Sequence, residues 1–111
     1  MGAACCKIMN LMYLVDQDNI VVPSQYEGVA NRDVVACVFT NQGTTAVKIN
    51  EFFRLLPGMS FNTCLAAGCA DLSRYDLRFE SAVYVPAGST AIVGVAAVKN
   101  VCLTLSVKQE N

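Results

Sequence analysis

Cysteine is the residue type in this chain with the greatest chemical capacity, and its spacing does not match a known site. The six cysteines stand at positions 5, 6, 37, 64, 69 and 102. Cys37 and Cys102 fall inside apolar runs, where a cysteine acts as a small buried hydrophobe. The other four would combine an adjacent pair with a four-residue gap, whereas zinc knuckles use a two-residue gap. In the absence of a signal-peptide pattern we expect free thiols, although Cys64 and Cys69 would be bridged if their Cα atoms come within about 7 Å.

Histidine is absent from the sequence, which removes the Ser-His-Asp and Cys-His catalytic arrangements and the commonest metal ligand. A cysteine nucleophile would need another activator, such as Lys7 beside Cys5 and Cys6, and a pair of small apolar residues at the start of a strand is the better interpretation. Residues 16–19, Asp-Gln-Asp-Asn, lack the glycine and the distal glutamate of a calcium loop and predict a turn. We therefore predict no catalytic residue, no cofactor, no metal and no enzymatic activity.

The composition indicates one small domain with more apolar residues than it needs. A chain of 111 residues predicts a single domain over residues 1–111. Hydrophobic residues make up 54% and charged residues 15% of the chain, against about 45–50% and about 25% in typical globular proteins. Part of this apolar surplus is expected to be buried against another subunit, because a small monomer has much surface for its volume. The alternative is a well-filled core.

The charge pattern argues against two classes of partner. Eight basic and nine acidic residues give a net charge of -1, without a basic tract. Binding to nucleic acid or to anionic lipid needs clustered Lys and Arg, so neither is predicted. The longest clean apolar run, residues 91–98, is far shorter than the about 18–20 residues of a membrane span.

Residues 34–49 are predicted to form a central hairpin. Residues 34–40 are apolar on both faces, which predicts a strand covered on both sides. Asn41-Gln42-Gly43 predicts a turn in which Gly43 takes a positive φ. Residues 45–49 then alternate as a half-exposed strand, so the segment is typical of a β-hairpin.

Strand patterns fill the rest of the chain, and the clearest is the apolar-polar alternation of residues 75–85. Further strands are predicted at residues 5–15, 20–22, 52–56, 59–64, 90–98 and 101–107, with turns at residues 55–58 and 86–89. Short strands between Gly, Pro, Asn and Asp turns, without an amphipathic helix, predict an all-β fold. The two architectures that fit are a single antiparallel β-sandwich and a jelly roll.

The middle of the chain carries turn motifs that resemble those of a known group of proteins. Residues 39–61 read FTNQGTTAVKINEFFRLLPGMSF, and residues 73–79 read SRYDLRF. They are similar to the N-x-G-T, V-x-I-N, L-x-P-G-x-S-F and Y-x-hydrophobic-x-F motifs of small β-sandwich virion proteins of tailed phages of gut Bacteroidota, the crAss-like phages among them. The resemblance implies a non-enzymatic structural protein of a bacteriophage virion, an auxiliary capsid or head decoration subunit. It also implies synthesis in the host bacterial cytoplasm and contact with other virion proteins, such as the major capsid protein.

A carbohydrate-binding β-sandwich module is the alternative function. Such modules stack sugars on exposed Trp or Tyr side chains. The chain has no Trp, and its four tyrosines are Tyr13, Tyr26, Tyr75 and Tyr84, of which Tyr26 lies in a predicted loop.

Self-association is predicted from the two most apolar segments, residues 5–15 and 91–98. A strand that is apolar on both faces must be covered on both, and a two-layer sandwich covers only one of them. We therefore predict a homo-oligomer, or a subunit docked on a larger shell. The predicted contact residues are Ile8, Leu11, Met12 and Leu14.

Overall fold

The computed structural model describes residues 8–26, 28–29, 34–64, 74–90 and 94–108. The predictions that concern Cys5, Cys6, Lys7, Cys69 and residues 91–93 lie outside these residues, and with them the cysteine zinc site and the Cys64–Cys69 bridge.

Eight β-strands make up the described part of the chain, with one short 3-10 helix, Pro23–Gln25. The strands are β1 Ile8–Val15, β2 Asn19–Val21, β3 Val34–Asn41, β4 Val47–Ile49, β5 Phe53–Leu55, β6 Ser60–Cys64, β7 Tyr75–Phe79 and β8 Val101–Lys108. The all-β prediction is therefore confirmed.

The strands form two antiparallel four-stranded sheets, in the orders β1-β8-β3-β6 and β2-β7-β4-β5. Strand pairing is nested: β1 pairs with β8, β2 with β7, β3 with β6 and β4 with β5. This is the pattern of one long hairpin folded over into two layers, which is the topology of a jelly roll. Of the two predicted architectures, the strand order therefore selects the jelly roll.

The predicted hairpin over residues 34–49 is wrong, because β3 and β4 belong to different sheets. β3 lies between β8 and β6, and β4 lies between β7 and β5. β3 is an eight-residue strand with two apolar faces. Such a strand is suited to the middle of a sheet, where long neighbouring strands supply hydrogen-bond partners for the backbone along both of its edges. The three-residue β4 cannot be such a partner. The chain between them crosses from one layer to the other.

Gly43 is required for close approach and not for a positive φ, which corrects the sequence prediction. It is absent from the described glycines with positive φ. A Cβ at this position would lie 2.2 Å from the backbone oxygen of Val98. Only glycine lets these two backbone segments lie against each other.

The predicted strand at residues 90–98 is not formed in its described part, residues 90 and 94–98. This segment is exposed, and its backbone bonds to the turn after β3, with Thr44 N donating to Val98 O at 2.9 Å. The apolar pattern misled the prediction because these side chains face solvent, as the exposures of Val95 (39%) and Val98 (44%) show.

The core lies between the two sheets and follows the predicted alternation of β7 and β8. Leu103 and Leu105 on β8, Phe39 on β3 and Leu77 on β7 are all fully buried. Full burial of one such side chain stabilises a fold by about 1.5–3 kcal/mol. An irregularity at residues 34–36 shifts the register of β3, so the alternation of inward and outward side chains on this strand is regular only beyond that point.

The turn predicted at residues 55–58 is formed one residue later. Met59 N donates to Leu56 O at 3.0 Å, and Gly58 has a φ of +85°. Pro57 therefore occupies the second position and Gly58 the third position of a type II turn over residues 56–59.

Candidate assembly surfaces

The outer faces of the two sheets differ in charge. On the β1-β8-β3-β6 sheet, the outward residues are those that alternate with the inward-facing residues of each strand, and the registers place them in common rows. They are Ile8, Asn10, Met12, Leu14, Ala36, Val38, Thr40, Ser60, Asn62, Cys102, Thr104 and Ser106. None of these twelve residues is charged, and β8 then ends at Lys108, which pairs in register with Ile8. We call the surface formed by the twelve residues the uncharged face.

Hydroxyl and amide groups of the uncharged face bond to one another within the rows. Ser106 Oγ donates to Asn10 Oδ1 at 2.9 Å, and Thr40 Oγ1 lies 3.1 Å from Ser60 Oγ. The uncharged face therefore presents small polar groups, some of which are hydrogen-bonded to one another, beside an apolar stripe along β1. That stripe is Ile8, Met12 and Leu14, with exposures of 49%, 69% and 62%.

Ion pairs cover the outer face of the β2-β7-β4-β5 sheet. Arg54 makes a two-point contact with Glu80, with Nε to Oε2 at 2.6 Å and Nη2 to Oε1 at 2.8 Å. Arg78 Nε donates to Asp76 Oδ1 at 2.9 Å. Hydrogen bonding from Arg54 lowers the pKa of the Glu80 carboxyl. Such a charged surface is what a face in contact with water requires.

The structure does not bring the four predicted interface residues onto one surface. Ile8, Met12 and Leu14 lie on the uncharged face, whereas Leu11 points inward and packs against the core. The correction for Leu11 follows from the pleat, because successive side chains of a strand point to opposite faces. Contact with a partner stays a prediction for the other three.

The four tyrosines occupy three different environments. Tyr75 is buried, and its hydroxyl donates to Thr63 Oγ1 at 3.3 Å. Tyr13 and Tyr26 stack with ring centroids 4.5 Å apart, and burial beside Tyr13 raises the pKa of Tyr26. Tyr84 lies beneath the guanidinium of Arg54, 5.4 Å from the ring centroid.

A cleft of about 460 Å³ opens at one end of the sandwich, and we call it the Tyr84 cleft. Its apolar walls include Pro57, Val83, Tyr84, Val85 and Val95.

Thr44 fixes the chain on both sides of the Tyr84 cleft. Tyr84 N donates to Thr44 O at 2.8 Å, and the Thr44 hydroxyl donates to Ala96 O at 2.7 Å. Hydrogen bonds to the turn after β3 therefore hold the connection between β7 and β8 at Tyr84 and at Ala96.

The turn between β4 and β5 presents an aromatic side chain that the sequence prediction placed in a strand. Asn50 and Glu51 have φ values of +55° and +65°, and Phe52 is 94% exposed. Asn50 N donates to Asp76 O at 2.9 Å, and Asp76 N donates to Asn50 Oδ1 at 2.9 Å. The residue in the sequence that indicates this turn is Asn50, because asparagine tolerates the left-handed region better than most residues.

The remaining candidate chemistry is sparse in the part of the chain that the structure describes. Cys37 is buried in the core, and Cys102 is a free thiol on the uncharged face. Within the described ranges, no three His, Cys, Asp or Glu side chains come together as a metal site would require. The same residues contain no helix long and apolar enough to cross a membrane.

Comparison with known proteins adds no family to this description: no protein-family model matches the chain, and no curated protein matches it.

Proposed function

We propose that this protein is a non-enzymatic structural subunit of a phage virion, an auxiliary capsid or head decoration protein. The observation that carries the proposal is the contrast between the uncharged face and the ion-paired face of the opposite sheet. Jelly rolls are used by viral capsid proteins and also by lectins, so the fold alone does not choose between these roles. The motif resemblance in residues 39–61 and 73–79 favours the first.

The composition of the uncharged face supports a role in assembly. Interface centres are depleted in charged residues and enriched in side chains such as methionine. Here Met12 is 69% exposed on a strand whose outward residues include no charge. Burial of this apolar stripe against a partner would be favourable, because it would remove apolar surface from water.

The size of the uncharged face fits a subunit with several neighbours. Three strands of eight residues and one of five, at about 3.3 Å per residue and about 4.8 Å apart, cover an area of about 450 Å². A stable two-protein complex buries about 800 Å² on each partner. One such face is therefore small for an isolated pair, and it suits a shell where several contacts add. The proposed partners are other copies of this chain and other virion proteins, such as the major capsid protein.

Mass spectrometry of purified phage particles tests the proposed location. The protein is expected in intact virions at a stoichiometry comparable with that of shell proteins. Its absence from purified virions would overturn the proposal.

A pair of matched substitutions tests the uncharged face itself. Ile8 and Ile20 are both edge-strand isoleucines, with exposures of 49% and 46%, but they lie on different sheets. Ile8→Gln is expected to weaken association with the virion shell, and Ile20→Gln is expected to bind as the wild type does; a neutral side chain is used because the register partners, Lys108 and Asp76, have opposite charges. Equal binding of the two variants would show that the uncharged face takes no part in the assembly.

The carbohydrate-binding alternative is supported by one observation, the presence of the Tyr84 ring in the wall of the Tyr84 cleft. The Tyr84 ring is the kind of aromatic surface on which such modules stack sugars, whereas the Thr44 hydroxyl is already bonded to Ala96 O and Val98 N. Saturable binding on a glycan array, lost in Tyr84→Ala, would favour this function over a structural one.

A further inference from the structure

The edge of β1 that faces away from β8 has no neighbouring strand in the described part of the chain. We propose that this edge pairs with the same edge of a second copy, antiparallel and about a two-fold axis. The two β1-β8-β3-β6 sheets, of four strands each, then form one continuous sheet. The inference rests on the proposed structural function and deepens it, because it names the partner that enlarges the uncharged face.

The hydrogen bonds around the end of β3 show which backbone groups point toward which neighbour. Gln42 N, one residue beyond β3, donates to Asn100 O at 2.8 Å, on the β8 side. Asn41 N donates to Met59 O at 3.0 Å, on the β6 side. Because successive residues of a strand direct their backbone bonds to opposite sides, the even-numbered residues of β3 bond to β8.

The same alternation extends across β8 to β1. Thr40 pairs with Cys102, so the even-numbered residues of β8 bond to β3 and its odd-numbered residues bond to β1. Leu105 pairs with Leu11, and the register of β1 with β8 has no irregularity. The even-numbered residues of β1 therefore direct their N–H and C=O groups to the outer edge. These edge residues are Ile8, Asn10, Met12 and Leu14.

The outer edge of β1 is open to a partner. In the described part of the chain, the four edge residues have no backbone hydrogen bond outside the β1–β8 ladder. Their side chains are all exposed. A row of exposed N–H and C=O groups is a template on which another strand can pair.

β1 has none of the features by which proteins keep a strand edge from pairing. Those features are charged side chains, prolines, bulges and short length. The eight residues of β1 include no charge and no proline, and their pairing with β8 has no bulge. The strands at the other three edges of the described sheets, β2, β5 and β6, have three, three and five residues. The long edge of β1 is therefore the one suited to pairing.

A second copy of β1 fits this edge. In an antiparallel pair, residues that exchange hydrogen bonds must both direct their backbone groups to the shared edge. The register that uses all four edge residues places Ile8 opposite Leu14 of the second copy and Asn10 opposite Met12. Each pair occurs twice by symmetry, so the contact supplies about eight backbone hydrogen bonds. It brings no like charges together, and as an isologous contact it closes as a dimer.

The area of the uncharged face supports this partner. One face covers about 450 Å², less than the about 800 Å² that each partner buries in a stable complex. Opposite residues of an antiparallel pair share a face, so both copies turn their uncharged faces to the same side. The paired sheet therefore presents about 900 Å², which reaches the size of a standard interface. The apolar stripes of both copies meet at its centre, where interface anchors concentrate.

Charged variants at two opposed positions test the pairing. Asn10→Lys/Met12→Lys and Asn10→Asp/Met12→Asp each place like charges opposite one another in both symmetric pairs. Each is expected to weaken dimerisation by about 10-fold or more in sedimentation equilibrium, because like charges directly opposite destabilise a strand pair. A 1:1 mixture of the two is expected to form the two-chain complex again, because each lysine then faces an aspartate. Circular dichroism of each variant is expected to keep the β-sheet signature.

A matched pair of lysines elsewhere on the uncharged face separates edge pairing from contact through the flat face. Thr40→Lys/Asn62→Lys adds the same charge on β3 and β6, which lie away from the β1 edge. This variant is expected to dimerise as the wild type does and to lose association with the virion shell.

Amide hydrogen exchange followed by NMR reads the edge directly. The Leu14 amide is expected to exchange slowly in the wild-type dimer and fast in the double lysine variant. The Leu11 amide, which bonds to β8, is expected to exchange slowly in both. Slow exchange of Leu11 shows that the variant is folded, so a change at Leu14 reports the loss of the partner strand.

Several outcomes would overturn the inference. They are a monomeric wild type at high micromolar concentration, wild-type dimerisation of either charged variant, a mixture that forms no two-chain complex, and loss of the dimer in Thr40→Lys/Asn62→Lys. A monomer whose edge residues bind a different virion protein would give the edge to that protein. Mass spectrometry of virions is independent of these results. A dimer that is absent from virions keeps the pairing and loses the proposed function, whereas a monomer found in virions does the reverse.

Discussion

Replacing Asn41 with alanine is expected to remove much of the stability of the fold. Asn41 ends β3 and is only 1% exposed. Its Nδ2 donates to Thr45 O at 2.8 Å and to Leu55 O at 3.0 Å, and its Oδ1 accepts from Gly43 N at 3.0 Å. One side chain thus joins the end of a strand in one sheet to the end of a strand in the other.

The expected loss follows from these three hydrogen bonds. Each intramolecular hydrogen bond contributes about 1 kcal/mol net, and a buried polar group left without a partner costs about 1–3 kcal/mol. Asn41→Ala removes three bonds and leaves two carbonyls and one N–H behind, so we expect a loss of about 3–5 kcal/mol. Small domains have only about 5–15 kcal/mol of total stability.

Urea denaturation followed by circular dichroism measures this loss. Asn62→Ala, an exposed asparagine on β6, is the matched control and is expected to change stability by no more than about 0.5 kcal/mol. A loss below about 1 kcal/mol for Asn41→Ala, with an unchanged dependence on urea concentration, would refute the argument. It would show that the three bonds are replaced at little cost.

Three further predictions concern single groups. Gly43→Ala is expected to lower the free energy of unfolding by about 3 kcal/mol, the upper end for overpacking, because the atom in the way is a backbone oxygen. Gly88→Ala has open space around the new Cβ but a φ of +81°, and it is expected to lower the free energy of unfolding by about 1–2 kcal/mol in the same measurement. Arg54 lowers the pKa of the Glu80 carboxyl, so Glu80→Gln is expected to lose stability at neutral pH. This loss is expected to shrink as the pH falls below 4.5, because the wild-type carboxyl is then protonated and no longer pairs with Arg54. The Tyr26 pKa is raised, so its phenol is expected to ionise above 10.0 in an ultraviolet titration and to destabilise the fold as the pH rises past that value. Equal losses for the two glycines, a pH-independent Glu80 effect, or a Tyr26 titration at or below 10.0 would contradict the respective reasoning.

Local patterns in the sequence predicted most of the strands, because the pleat of a strand turns alternate residues toward the core. The alternation of Leu103 and Leu105 with polar neighbours on β8 is one case, and that of Tyr75 and Leu77 on β7 is another. The strand predicted at residues 90–98 is wrong in its described part, and the one predicted at residues 75–85 ends at Phe79. Strand pairing was not predicted, because it depends on partners that are distant in the chain. β3 and β4 are adjacent in sequence yet lie in different sheets, while β1 pairs with β8 across nearly the whole chain.

The candidate surfaces were predicted only in part. Apolar excess in residues 5–15 indicated a surface segment, and the period of a strand would already have separated Leu11 from Met12 and Leu14. The Tyr84 cleft had no signature, since it is formed where the connection after β7 folds back over Thr44. Phe52 was read as a strand residue because an apolar run gives no warning that a turn interrupts it.

The small area of the uncharged face bears on how a subunit would be held on a shell. A face of about 450 Å² is small for an isolated pair, so a single copy is expected to bind weakly. Copies held side by side on one shell make each weak face-on contact part of a multivalent layer, in which linked contacts raise the effective concentration of their neighbours. Binding to the shell is therefore expected to depend more steeply on subunit concentration than binding of an isolated pair.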